Sequence, residues 1–337
     1  MQPLLIATER GVYCPDADFY IDPWQPVERA VVTHAHSDHA RWGCGSYLCA
    51  EPGRELLRLR VGDGSPIETL AYGEAITIGN VRVSLHPAGH ILGSSQVRCE
   101  RDGEVWVVSG DYKAEYDLTS GAFEPLPCHT FITESTFGLP IFRWRPQADI
   151  FQEINAWWSA NASVGITSVI YAYALGKAQR LLAGVDPAIG PILAHGAVRR
   201  FIDPYRAEGV ALPRIGHADA AGARASMGRA LVIAPPSADT PGWLRKFGEA
   251  RTAFASGWMQ MRGSRRRRCV DRGFVLSDHA DWPGLLAAID ATGAASIGIT
   301  HGYTAELARY LSDKGKDAWI LPTRYENNID SADAEDE

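Results

Sequence analysis

THAHSDHA, residues 33–40, holds His34, His36 and His39 together with Asp38, so three of the chain's 10 histidines fall within six residues. The stretch follows the apolar run Ala30-Val31-Val32 and has the look of a loop leaving a strand. Imidazole and carboxylate are the groups that zinc and similar divalent ions accept as ligands. With the alternate residues His34 and His36 aimed one way, and Asp38 and His39 turning back, two adjacent ions can be served. A surface loop that merely happened to be polar would not concentrate histidine behind a β-run in this way.

This His-x-His-x-Asp-His pattern resembles the metallo-β-lactamase superfamily. The resemblance implies further residues, each expected at a strand end. Asp22, closing FYID (19–22), matches an aspartate that orients the histidine loop from behind. His90 in PAGHILGSS (87–95) matches the histidine that completes the first ion's ligands, and Asp111 in VVSGDYK (107–113) the carboxylate that bridges both ions. The last histidine separates subfamilies. His129 reads as a structural or surface histidine and His195 as a loop histidine, whereas His301 in GITHGY (298–303) fits the second ion's ligand. Its wide separation from Asp111 implies a whole domain inserted between them.

Such an insertion resembles the β-CASP nucleases, and that resemblance spans nearly the whole chain. It implies Glu134 in TESTFG (133–138) as an acid that holds His279 in SDHADW (277–282), with His279 as proton donor to the leaving group. It also implies substrate contacts in YALGKAQR (173–180), through Lys177 at a helix start, and in ASGWMQMRG (255–263), through Ser256, Gly257 and Arg262. Lys177 lacks the first glycine and the Ser/Thr of a P-loop, so nucleotide triphosphate binding is not expected. The catalytic set is therefore expected to be His279, Glu134, Asp38 and Asp22, and the metal set His34, His36, Asp38, His39, His90, Asp111 and His301. Zinc is the default ion for these ligands, and manganese is an alternative activator.

A histidine at the position of His301 is common among RNA-processing members. The blocks CPDADFYIDPW (14–24), THAHSDHARWG (33–43), ASGWMQMRGSRRRR (255–268) and DRGFVLSDHADWPGLL (271–286), however, together resemble the bacterial ligase-associated DNA exonucleases. That resemblance implies DNA as substrate, as a single strand or a duplex end. It also implies a functional link to a DNA ligase and an Lhr-type helicase. RNA processing, as in mRNA 3′-end factors, is the alternative, and a small-molecule metallohydrolase the more distant one. Trp144, Trp158 and Trp258 are candidates for stacking bases, with core packing as the competing role.

The rest of the chain agrees with two domains. Its 337 residues exceed what one hydrophobic core usually supports, and 46% hydrophobic with 22% charged residues is a globular balance. Residues 1–135 read as short strands, with hairpins at Gly79-Asn80 and Asp102-Gly103, and a helix over 52–61. From about 141 to 272, strand and helix alternate, which predicts a parallel α/β unit. The expected fold is thus an α/β (α+β) protein: an αβ/βα sandwich from 1–140 and 273–325, with the β-CASP α/β domain at 141–272.

The formal charge of −7 argues at first against a polyanionic partner. Yet five acids sit in the last eight residues, within an expected disordered tail at 326–337, and six arginines crowd residues 262–272. The run Arg265–Arg268 is either a solvated face or a phosphate contact. The six scattered cysteines form neither a disulfide framework nor a zinc module, so a reduced, cytoplasmic setting is expected. No apolar run is long enough for a membrane span.

Overall fold

The computed structural model describes residues 3–323, apart from the side chains of 264, 265 and 267. The acidic stretch 326–337 therefore lies outside the described residues, as do the side chains of Arg265 and Arg267. Residues 3–143 and 279–323 form one compact unit, and 144–278 form a second.

The first unit contains two sheets. One has six strands in chain order: Ile6–Thr8, Gly11–Cys14, Phe19–Ile21, Arg29–Val31, Ser46–Ala50 and Ile67–Leu70. The other has seven, ordered Asp317–Ile320, Ser296–Gly302, Thr130–Ser135, Glu104–Val108, Ser95–Arg101, Val81–Pro87 and Ala75–Ile78. The first four strands of this order run parallel, and the remaining pairings are antiparallel. Both expected hairpins are present. Ile78 pairs with Val81 around Gly79-Asn80, and Arg101 with Glu104 around Asp102-Gly103, whose positive φ values of 52° and 85° suit a two-residue turn.

Alternation along each strand sets the layers. Trp106 and Val108 face inward, where they join Val12, Phe19, Ile21, Val31 and Leu48 of the other sheet in one core. Val105 and Val107 face outward and pack with Trp282, Ile289, Leu307 and Leu311. Those last four belong to the helices Trp282–Thr292 and Thr304–Asp313, which cover that sheet. Helix Arg54–Val61 packs on the six-stranded sheet through Leu56 and Leu57. The result is a four-layer αβ/βα sandwich.

The second unit has a six-stranded, wholly parallel sheet. Its order is Ile215–His217, Ile192–Ala194, Leu231–Ala234, Thr167–Tyr171, Ala250–Ala255 and Arg272–Phe274. Thr167–Tyr171 is buried along its whole length, as a central parallel strand covered on both faces must be. Helix Gln147–Ser163 turns Ile150, Ile154, Trp157, Trp158 and Asn161 inward at helical spacing. Arg272–Phe274 pairs with Ala253–Ala255, so residues 273 and 274 belong to this sheet, although the sequence suggests a return to the first unit at 273.

Candidate metal centre

Each residue of the histidine loop is oriented by a neighbour that the fold supplies. Asp22 follows strand Phe19–Ile21 with φ +45°, a left-handed conformation that aspartate tolerates better than most residues. Its Oδ1 accepts from the Thr33 amide at 2.8 Å, and its Oδ2 from the Thr33 hydroxyl at 2.6 Å. Having donated its proton to Asp22, Thr33 Oγ1 accepts from His34 Nδ1 at 3.0 Å. His39 Nδ1 donates to Asp22 Oδ2 at 2.7 Å, and His301 Nδ1 lies 2.8 Å from Thr300 Oγ1. The ring nitrogens left over, His34 Nε2 and His39 Nε2, are thereby the ones turned towards the centre.

These nitrogens converge with those of His36 and His90. His36 Nδ1 lies 3.1 Å from both His34 Nε2 and His90 Nε2, and Asp111 Oδ2 lies 3.7 and 3.8 Å from the same two nitrogens. All four residues are buried. Asp111 Oδ2 is also 3.5 Å from His39 Nε2, which is itself 3.5 Å from Asp38 Oδ2. The rings of His39 and His301 stack at 5.2 Å, and Asp38, His39 and His301 form a second group of converging atoms. Asp111 thus stands between two clusters.

Two glycines permit the approach. Gly110 has φ +56°, and a Cβ there would meet the Thr33 side chain at 2.7 Å. Gly302 has φ +79° and backs onto Ser135, whose hydroxyl donates to the His301 carbonyl.

Beside Asp111, His279 Nδ1 lies 2.9 and 3.1 Å from the two oxygens of Glu134, and 4.0 Å from Asp111 Oδ2. Glu134 is 1% exposed, and its Oε1 also accepts from the Tyr112 amide at 2.7 Å. That amide, and the Thr33 hydroxyl, are functional contacts that the motif reading misses. Thr33 had a signal, since it adjoins His34, whereas a backbone amide carries none.

The electrostatics fit a cation. Burial drives the His34 imidazole well below its ordinary value, aided by the surrounding histidines, and burial likewise lowers His301. Burial works against charge on His39 too, but Asp38, Asp111 and Asp22 outweigh it and hold the ring well above the usual range. Burial also opposes ionisation of Asp111, yet His39, His279 and His34 keep its carboxyl well below the usual range.

The donor set fits divalent ions. Nitrogens about 2.0–2.1 Å from a tetrahedral zinc lie roughly 3.3–3.4 Å apart, and the 3.1–3.8 Å spacings among His34, His36, His90 and Asp111 fall on either side of that value. His39 Nε2 is buried without a hydrogen-bond partner, a state that a bound cation relieves. His34, His36, His90 and Asp111 would hold one ion, and Asp38, His39, His301 and the shared Asp111 a second.

The residues expected to touch substrate lie in the second unit. Lys177 begins helix Lys177–Gly184 but is 2% exposed; its ammonium lies 2.9 Å from Asp278 Oδ1 and 4.3 Å above the Tyr173 ring. A phosphate would have to compete with that pair. The Ser256 hydroxyl accepts from the Trp258 amide, Gly257 is buried, and Arg262 is exposed at the head of a short helix. Trp158 is fully buried and Trp258 is 8% exposed, so core packing occupies both. Trp144 is half-buried. His129 Nδ1 accepts from the Val105 amide between neighbouring strands, and His195 caps a short helix by accepting from the Ala197 amide. Both are structural. Among the described residues, no helix is long and apolar enough to cross a membrane.

No family model matches the chain. Among curated proteins, the "Probable DNA ligase" of Opitutus terrae is 30% identical over 323 residues, 95% of this chain. Endoribonuclease YSH1 of Candida glabrata is 30% identical over 122 residues, 36% of this chain and 16% of its own length. Transcription termination factor FttA of Methanothermobacter thermautotrophicus is 28% identical over 202 residues, 48% of this chain and 31% of its own. The chain spans 31% of the ligase, about a third of that relative's length. Among solved structures, a protein of unknown function from Enterococcus faecalis matches with a TM-score of 0.60 over 88% of this chain and 80% of the other. At 11% identity that likeness concerns the fold.

Proposed function

We propose, for a chain that belongs to the β-CASP branch of the metallo-β-lactamase superfamily, that it is a metal-dependent nuclease hydrolysing phosphodiester bonds of DNA from an end. The observation that carries this reading is the single oxygen Asp111 Oδ2, 3.5–3.8 Å from His39, His34 and His90, with the His279–Glu134 pair alongside. Bound at these two clusters, divalent ions would offset the charge of the phosphate and supply a nucleophilic hydroxide near neutral pH. Asp111 and Asp38 would contribute negative charge to hold the ions, and Asp22 orients His39 so that its Nε2 faces inward. His279 gives the proton at its Nε2 to the oxygen that leaves phosphorus. Glu134 accepts from Nδ1 and so favours the doubly protonated ring that can make this donation.

The DNA reading is supported by the relative named as a DNA ligase, which aligns over 95% of this chain. A functional link with a ligase is proposed on the same basis, and one with an Lhr-type helicase on the resemblance to the ligase-associated exonucleases. RNA is the second reading, favoured by the 30% identity to an endoribonuclease. Ser256, Gly257 and Arg262 are proposed as substrate contacts. The test is digestion of end-labelled DNA and RNA of matched sequence with Zn²⁺, Mn²⁺ or Mg²⁺, alongside the Asp111→Asn variant. Shortening of labelled DNA that needs both a metal and Asp111 supports the reading. Cleavage of RNA alone overturns the choice of substrate, and full activity of D111N overturns the mechanism.

A further inference from the structure

Large apolar side chains exposed singly on a surface need no explanation. In the first unit, however, Trp42, Tyr116, Leu118 and Ile141 are 58–72% exposed, and all four lie on loops that carry or follow cluster residues. Trp42 shares its loop with His39, Tyr116 and Leu118 follow Asp111, and Ile141 follows Glu134. Trp42 is the most informative. Its turn is fixed from beneath by the buried Tyr47, whose hydroxyl donates to the Arg41 carbonyl at 2.7 Å and accepts from the Cys44 amide at 2.9 Å. The turn is rigid, yet the indole is left 65% exposed, so most of its apolar surface adds nothing to folding. An exposed aromatic plane on the loop that carries His39 suits the chemistry of an unpaired nucleobase. Bases inside a duplex already stack on one another, whereas single-stranded bases stack on protein aromatics whatever their sequence.

We propose that Trp42 is a base-stacking platform that holds unpaired bases of a single nucleic-acid strand beside the histidine–aspartate cluster. This rests on the nuclease reading above and specifies the strand state of its substrate.

The test measures binding of a fluorescein-labelled single-stranded oligonucleotide, and of an abasic backbone of equal length, to the full chain carrying Asp111→Asn to prevent cleavage. The base-bearing strand is expected to bind on the order of 10-fold more tightly. Adding Trp42→Ala should remove most of that preference, and Trp42→Phe should keep it. The platform is refuted if the preference survives Trp42→Ala, or if the D111N chain shows none. Cleavage of the same strand by the unsubstituted chain is followed in parallel. Cleavage without a preference for bases refutes the platform and leaves the nuclease reading standing, whereas absence of any cleavage overturns the nuclease reading itself and the platform with it.

Discussion

Replacing Asp22 by asparagine tests how the fold prepares the histidine loop without touching a proposed ligand. Asparagine accepts the same φ of +45°, so the backbone should persist. The change falls on Oδ2, which accepts from both the Thr33 hydroxyl at 2.6 Å and His39 Nδ1 at 2.7 Å. An amide NH₂ in that place meets two donors. The least disruptive escape is for His39 to move its proton to Nε2, which then occupies the position needed for an ion. A hydrogen bond to a charged group contributes about 1.5–3 kcal/mol. At about 1.4 kcal/mol per decade, losing it should weaken the ion at the His39 cluster by roughly 10- to 150-fold. The ion at His34, His36 and His90 should be affected less, because Thr33 can still donate to the remaining carbonyl oxygen. The assay is metal content by mass spectrometry after dialysis against graded chelator, with thermal unfolding as the control for folding. Metal stoichiometry should fall from two towards one per chain at chelator concentrations that leave the parent loaded. A D22N protein that holds both ions as tightly as the parent would refute the tautomer argument.

Other consequences can be measured separately. His279→Ala should lower turnover on labelled DNA by about 10²–10⁴-fold, the usual worth of a positioned proton donor, while metal content stays that of the parent; loss of metal would make His279 a ligand instead. Glu134→Gln should lower turnover in the same direction and shift the alkaline side of the pH–rate profile to lower pH, because it removes the charge that stabilises protonated His279; an unchanged profile would exclude that role. Lys177→Met removes the ammonium 2.9 Å from the buried Asp278, and should cost up to about 3–5 kcal/mol in denaturant unfolding. Adding Asp278→Leu should recover much of that loss, and if the double variant is no better than the single one, the pair is not what stabilises this region. Gly110→Ala should lower the melting temperature, since its φ of +56° and the 2.7 Å approach to Thr33 leave no room for a methyl group; an unchanged melting temperature would show that the loop yields freely.

Much of the centre was legible because its residues are anchored to local pattern. His34, His36, Asp38 and His39 lie within one short loop, and Asp22, His90, Asp111, Glu134 and His301 each stand at or just past the end of a recognisable strand. The two hairpins were legible for the same reason: Gly79-Asn80 and Asp102-Gly103 encode their turns locally. The aromatics were not. Trp158 and Trp258 read as stacking candidates until their burial was known, and Trp42 was not among the candidates, because burial depends on what other segments bring against a side chain. Lys177 behaved likewise. A Gly-Lys helix start suggests a phosphate, and nothing near it in the chain announces Asp278, which neutralises it.

The sequence by itself determined which groups were available, in what order, and on which kinds of element. Tertiary structure alone decided the distances: one oxygen of Asp111 between two histidine clusters, Glu134 against His279 across 145 positions of chain, and one tryptophan left outside the core. The reason is physical. Strand and turn preferences act between neighbours along the chain, so they can be read from it. Hydrogen-bond geometry, burial and the charge states they impose act between atoms in space, and only the folded sandwich brings those atoms together.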